Sequence, residues 1–198
     1  MHHKTLYDAL YMVDSNQQNQ EYLKELIIRA RDGEENAFEE VYSTYYTPLY
    51  RYILSRVKNK QEAEDLTQTV FLKIWKALPS WNTNHTSPLS FFFTVAHNSM
   101  IDHFRKNSSK EIISDEVVAD HLESNDDSAY EDIKYDNTQE ILKQAILKLS
   151  DDQQEIINLF YTNDLSYKEI AEITNKKEDA VRQIHSRAIK KLRELYKE

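Results

Sequence analysis

Apolar residues recur along most of the chain at three- and four-residue intervals, the spacing that stacks side chains on one face of an α-helix. Tyr22, Leu23, Leu26, Ile27 and Ala30 predict a first helix ending near Gly33. Phe38, Val41, Tyr42, Tyr45, Leu49, Tyr52, Ile53 and Val57 predict a longer second helix that Pro48 can kink. Ala63, Leu66, Val70, Phe71, Ile74 and Leu78 line a third. Residues 79–88 hold Pro79, Asn82, Asn84, Thr86 and Pro88 and read as a loop. Phe91, Phe92, Val95, Ala96, Ile101 and Phe104 line a fourth helix that finishes in Arg105-Lys106. Four helices with short connections suffice for a compact bundle.

The pattern resumes at Thr138, where Ile141, Leu142, Ala145, Ile146 and Leu149 share a face. Ser150 followed by Gln153 is a capping box opening a helix through Ile156, Ile157 and Phe160. Ser166 followed by Glu169 is a second box, opening a short helix with Ile170, Ala171 and Ile173. The polar turn Thr174-Asn175-Lys176-Lys177 then leads to a last helix carrying Val181, Ile184, Ala188, Leu192 and Leu195. A short capped helix, a tight turn and a longer basic helix form the outline of a helix-turn-helix.

Composition narrows the class. The chain of 198 residues has one glycine, three prolines and no cysteine. That argues against an all-β fold or a glycine-rich phosphate loop, and it removes disulfides, zinc ribbons and thiol nucleophiles. No apolar run approaches the ~20 residues of a membrane span, and the N-terminus has no signal-peptide h-region, so the expected location is the cytoplasm. The seven histidines are scattered, no nucleophile–base pairing is visible, and neither an enzyme nor a cofactor is expected.

Charge fixes the organisation. The net charge is −9, and residues 108–137 hold ten acidic and two basic residues, a balance of −8. So polar a segment cannot bury enough surface to offset its ordering entropy and reads as a linker. The expected fold is therefore all-α, with two small helical domains at 21–107 and 138–198, an acidic linker at 108–137 and a loose tail at 1–20.

Three stretches carry candidate chemistry. Asp65, Gln68, Leu72 and Trp75 fall on one stripe beside the Leu66/Val70/Ile74 seam, a mixed polar and aromatic surface suited to a partner helix. On spacing alone, a solvated face beside a core aromatic is the stronger reading. The loop 80–88 and the helix of 91–106 put aromatics beside Asn, Arg and Lys, which can stack bases and contact phosphates; by pattern alone the phenylalanines are simply core. From Val181 to Arg193 there are five basic residues and no acidic ones. Arg182, Gln183, Ser186, Arg187 and Lys190 project outward there, and Arg and Gln can read guanine and adenine edges in a major groove. The plain alternative is an exposed basic helix without a ligand.

Taken together and in order, these residues resemble the extracytoplasmic-function (ECF) group of bacterial RNA polymerase sigma factors. The resemblance rests on Asp32-Gly33 through Ala37-Phe38, Ala63-Glu64-Asp65-Leu66-Thr67-Gln68-Thr69-Val70-Phe71, and Val95-Ala96-His97-Asn98 with Ile101-Asp102 and Arg105. It continues through Leu165 to Glu172 and through Ala180-Val181-Arg182 to Arg187-Ala188.

The resemblance implies that Asp65, Gln68, Phe71, Leu72 and Trp75 dock on the clamp helices of the polymerase core. It implies that Trp81, Asn82, His97, Asn98, Asp102, Arg105 and Lys106 meet the minus-ten element as a single strand, with the loop Ser80–Pro88 holding a flipped base. Arg182, Gln183, Ser186, Arg187 and Lys190 would read the minus-35 element. Polymerase core and promoter DNA are the implied partners, an anti-sigma factor is an optional third, and membrane insertion is not expected. The chain departs from the group's usual pattern in having Phe91 where Trp is common and His97 where Arg is common. Asp179, near the start of the last helix, is an acidic residue where phosphate would approach. A linker of −8 suits the basic channel that otherwise carries nascent RNA. The alternatives are a stand-alone helix-turn-helix regulator, which would bind its sites unaided, and a helical scaffold that leaves the basic face unused.

Overall fold

In the computed structural model the described residues are 21–81, 87–111 and 137–195, and all of their regular structure is helical. The N-terminal tail, the loop residues 82–86 and the stretch 112–136 lie outside them, so what the sequence leads one to expect there (the loose tail, most of the acidic linker and Asn82) does too.

Helix α1 spans residues 21–31 and stops at Gly33, whose φ of 97° is costly for any residue with a Cβ. The Gly33 N–H donates to the Ala30 carbonyl and the Glu34 N–H to the Arg29 carbonyl, which is the paired bonding of a Schellman cap. Arg29 and Glu34 add a bidentate ion pair across the same turn. Helix α2 (Glu35–Val57) runs through Pro48 and ends at Lys58, a lysine in the left-handed region at φ 59°. Asn59 accepts from the Glu62 N–H at 3.0 Å and so opens α3 (Lys60–Ala77). A 3-10 turn (Leu78–Ser80) follows. Ser87 caps α4 (Pro88–Glu111) by accepting from the Ser90 N–H at 3.1 Å, with Pro88 at the position where a missing N–H costs nothing. Helix α4 thus continues past Arg105-Lys106, where the sequence pattern ends it.

The second unit comprises α5 (Asn137–Leu147), α6 (Asp151–Ile157), a π-helical turn (Asn158–Thr162), α7 (Tyr167–Thr174) and α8 (Glu178–Leu195). Both expected capping boxes contribute bonds: Gln153 accepts from the Ser150 N–H at 3.1 Å and Glu169 from the Ser166 N–H at 2.9 Å. Asn175, left-handed at φ 51°, ends α7 with a second Schellman-type pairing in which the Lys176 N–H donates to the Ala171 carbonyl at 3.0 Å. That turn sets α8 across α7.

Leu26, Ile27, Val41, Leu49, Ile53, Val70, Ile74, Phe92 and Phe93 are buried in the first unit. The same apolar cluster runs on into the second through Ile156, Leu159, Leu165, Ile170, Ile173 and Val181. A separate small cluster of Leu149, Ile157 and Ala188 holds α6 to α8. Several residues assigned to apolar seams by spacing are instead exposed: Tyr22, Tyr42, Ile101, Phe104, Ile141 and Leu142. Tyr22 and Ile101 sit at the edge of their helices' buried arcs, whereas Phe104, Ile141 and Leu142 lie toward helix ends.

Lys58 has a backbone that glycine adopts without the left-handed penalty. Lys58→Gly is expected to raise stability by about 0.5–1 kcal/mol in urea unfolding; a loss of stability would contradict the cap assignment.

Candidate functional site

Three helix faces carry the candidate residues. On α3, Asp65, Gln68, Leu72 and Trp75 all point to solvent, with Leu72 61% and Trp75 39% exposed. Gln68, Leu72 and Trp75 border a shallow groove whose wall includes Phe38 and Tyr42 of α2. Trp75 meets Phe38 edge-on at 4.6 Å, and Phe71 lies 4.6 Å from Tyr42 between ring centres. Phe71 is buried at 3% exposure, so it forms the floor that holds its neighbours rather than a surface contact. Large apolar groups held rigidly at a surface are what a partner helix uses as anchors.

On α4 the expected residues divide. Asn98, Arg105 and Lys106 are exposed, and Asp102 accepts from Arg105 Nη2 at 3.0 Å. Trp81 is not open to a base: it is 9% exposed and stacks on Phe91 at 5.4 Å between ring centres. In this structure the indole packs within the first domain against Phe91. Asn82 lies outside the described residues.

His97 is also covered. Its Nδ1 lies 2.9 Å from Glu155 Oε1 of the second unit, and the Tyr52 hydroxyl donates to the same oxygen at 2.7 Å. Glu155 is 4% exposed. Burial pushes its carboxyl upward, but the hydrogen bonds from His97 and Tyr52 outweigh that and hold it below the ordinary carboxylate value. Tyr52 is raised in turn, by its own burial and by the adjacent carboxylate. Two further carboxylates reach α4: Ser87 Oγ donates to Glu169 Oε1 at 2.5 Å and Ser90 Oγ to Glu172 Oε2 at 3.1 Å. Arg56 Nη1 donates to the Asp151 carbonyl at 3.1 Å.

On α8, Val181 and Ala188 are fully buried, and Arg182, Gln183, Ser186, Arg187 and Lys190 face solvent. Arg182 is held in place: Nε donates to Glu178 at 3.2 Å, and the guanidinium lies 4.6 Å from the centre of the Tyr167 ring. Tyr167 stacks on Phe160 and its hydroxyl is 3.1 Å from His185 Nδ1, whose pKa burial lowers. Arg187 has no ion pair among the described residues. The basic face is thus part fixed, part open. Among the described residues no cluster of three or more His, Cys, Asp or Glu is placed to hold a metal ion.

Sequence reasoning missed Glu155, Glu172, Ser87 and Ser90, and it read Glu169 only as a cap. The one local signal was Glu155 placed directly before the apolar pair Ile156-Ile157.

Residues 41–110 match the family model Sigma-70 region 2, and residues 139–192 match Sigma-70, region 4. The chain is 30% identical over 158 residues to the ECF RNA polymerase sigma factor SigM of Bacillus subtilis, covering 80% of this chain and 94% of that protein. It is 32% identical over 176 residues to the ECF sigma factor BldN of Streptomyces coelicolor, covering 87% of this chain and 65% of that one. The fold is similar to that of the sigma factor RpoE from Bartonella quintana, solved in complex with the anti-sigma factor NepR. That match has a TM-score of 0.66 and 25% identity, over 81% of this chain and 96% of the other.

The Glu155 cluster has a definite pH sign. Its carboxyl lies lower in the folded chain than the unfolded value of about 4.3, so its contribution is complete above that pH and is lost as pH falls through the lower, folded value. Urea unfolding should show acid destabilisation that is shallower in Glu155→Gln than in the parent below about pH 4.5. Glu155→Ala, which leaves the buried Tyr52 hydroxyl only its longer 3.4 Å contact with His97 Nδ1, should cost about 1–3 kcal/mol at neutral pH.

Proposed function

The chain belongs to the ECF group of RNA polymerase sigma factors, and from that premise we propose how its exposed faces divide the work of initiation. A sigma factor binds the polymerase core and directs initiation at promoters; it is a regulatory initiation factor rather than a classical enzyme. The reading by residue starts at α3. Asp65, Gln68, Leu72 and Trp75 form the surface that docks on the core, supported by the exposure of Leu72 and Trp75 over a rigid aromatic floor. Asn98, Asp102, Arg105 and Lys106 on α4 meet the minus-ten strand, joined by His97 once it is uncovered. Arg182, Gln183, Ser186, Arg187 and Lys190 on α8 read the minus-35 element in the major groove. The domain limits that go with this reading are 21–107 and 138–198.

The observation that carries it is collinearity: a region 2 match with an exposed apolar stripe precedes a region 4 match with an exposed basic helix. A chain of net charge −9 is repelled by free DNA, whereas two weak readers fixed on one scaffold combine through effective concentration. A stand-alone regulator is not favoured. RpoE is known here in complex with the anti-sigma factor NepR, and a partner of that class is part of the proposal for this chain as well. Work beside the polymerase places the chain in the cytoplasm on this reading; no helix among the described residues is long and apolar enough to cross a membrane.

Run-off transcription with purified core polymerase on a genomic promoter library tests the whole reading, and the absence of any added transcripts would reject it. Asp65→Ala with Trp75→Ala should weaken core binding by about 30-fold or more, the scale of one interface hot spot, and remove initiation at all promoters. Arg187→Ala should leave core binding intact and reduce use of a subset of promoters by about tenfold, the scale of one lost base contact. Equal behaviour of the two variants would reject the proposed division.

A further inference from the structure

Arg182 and Arg187 both lie on the outward face of α8, yet the fold treats them differently. The Arg182 guanidinium lies 4.6 Å from the centre of the Tyr167 ring, and its Nε and Nη2 both donate to Glu178 Oε1. Tyr167 belongs to α7, so one helix of the helix-turn-helix carries a platform for a side chain of the other. That platform is braced. The Ser166 cap makes Tyr167 the first residue of α7, Phe160 stacks on its ring at 4.9 Å, and His185 meets it edge-on at 5.4 Å. The Tyr167 hydroxyl lies 3.1 Å from His185 Nδ1, which limits the tilt of the ring.

A second feature runs against simple attraction to DNA. Glu178 and Asp179 place two carboxylates in the first turn of α8, beside Arg182. A phosphate brought to Arg182 comes up next to the Glu178 carboxylate and is repelled by it. The major-groove edge of guanine offers two acceptors and carries no net charge, so it meets no such repulsion. An arginine without these restraints is long and flexible, and it reaches backbone phosphates as well as bases. Phosphate contacts add affinity but carry no sequence information.

We propose that Tyr167 and Glu178 are specificity-determining residues for duplex reading by α8. Tyr167 presets the Arg182 guanidinium and Glu178 keeps backbone phosphate away from it, so that Arg182 reads a guanine. Both act through Arg182, as positioning residues. This rests on the assignment of α8 to the minus-35 element.

The test uses full-length chain with core polymerase, on a promoter recovered by run-off transcription and on every single base-pair variant of its minus-35 element. Competition binding gives a preference ratio at each position. Arg182→Ala should flatten the preference for guanine at one position and so identify it. Tyr167→Leu should lower the ratio at that position by about two- to fivefold, the scale of one exposed cation–π contact, and leave the other ratios unchanged. Tyr167→Phe, which keeps the ring, should keep the ratio. Glu178→Gln should lower it by about twofold, the scale of one exposed ion pair, by strengthening binding to the variant promoters more than to the original. Asp179→Asn removes the same charge one residue away and should leave the ratio unchanged. In an Arg182→Ala background neither Tyr167→Leu nor Glu178→Gln should alter any ratio. The Arg182 Nε–H resonance of the free chain, assigned by its loss in Arg182→Ala, should show an upfield ring-current shift in the parent and in Tyr167→Phe that Tyr167→Leu abolishes. If Tyr167→Leu lowers helicity, Glu178→Gln against Asp179→Asn decides. Equal loss at every sequence in Tyr167→Leu, Tyr167→Phe behaving as Tyr167→Leu, Glu178→Gln behaving as Asp179→Asn, or effects that persist without Arg182 would each overturn the proposal. Flattening by Arg182→Ala alongside any of these results leaves the minus-35 assignment standing; no flattened position in Arg182→Ala overturns the proposal together with the role of Arg182 in that assignment.

Discussion

Glu155 is a carboxylate with almost no access to water, and such a group stays in a fold only when its charge is matched by hydrogen bonds. Its described side-chain donors lie in the first domain, on Tyr52 of α2 and His97 of α4. The second domain therefore carries a charge that is satisfied only by contact with the first. Removing either donor leaves a buried anion short of a partner, so the two domains are coupled more tightly than apolar contact between small surfaces would achieve. The position of α7 follows from this pairing, since α6 leads into α7 through the π-helical turn at Asn158–Thr162. That turn adds a residue to the helical repeat and is pinned by Asn163 donating to the Asn158 side chain at 3.0 Å.

What the sequence made legible was local. Gly33, the Ser150 and Ser166 caps and the Asn175 turn each act within about one helical turn, so pattern and structure agree there. Glu169 shows where that legibility stops. One oxygen bonds Ser166, three residues away, and could be read directly; the other bonds Ser87, 82 residues away, and could not. His97 and Trp81, which the resemblance places at the minus-ten strand, are covered for the same reason: Glu155 and Phe91 lie against them, and a local window weighs neither. Tyr42, Ile101 and Phe104 err the other way: each is read as core from its spacing, yet no neighbouring element covers it. Tyr42 then borders the groove beside Leu72 and Trp75, where an exposed aromatic can serve a partner.

The recognition helix shows how a fold can prepare one side chain and leave its neighbour adaptable. Arg182 is held from two sides, by Glu178 and by the face of Tyr167, and Tyr167 is itself fixed by Phe160 and His185. An arginine set in this way loses less rotamer freedom when it meets DNA, at the cost of breaking its pair with Glu178. Arg187, one and a half turns further on, carries no such constraint among the described residues. A base contact there would lose more side-chain entropy on forming but would displace no anion.

A partner can shift the equilibrium between closed and open domains only through contacts that differ between the two states. The α3 stripe is exposed in the closed chain, so docking there alone binds both states equally and opens nothing. The opening force has to come from a second surface. The groove of Leu142, Ile146, Ile157, Tyr161 and Leu192 is suited to this, because its rim includes Ser55 and Arg56 of the first domain in the closed arrangement. A closed population of 99% needs an opening cost of only about 2.7 kcal/mol, the scale of a few buried hydrogen bonds and well within what one added interface can supply.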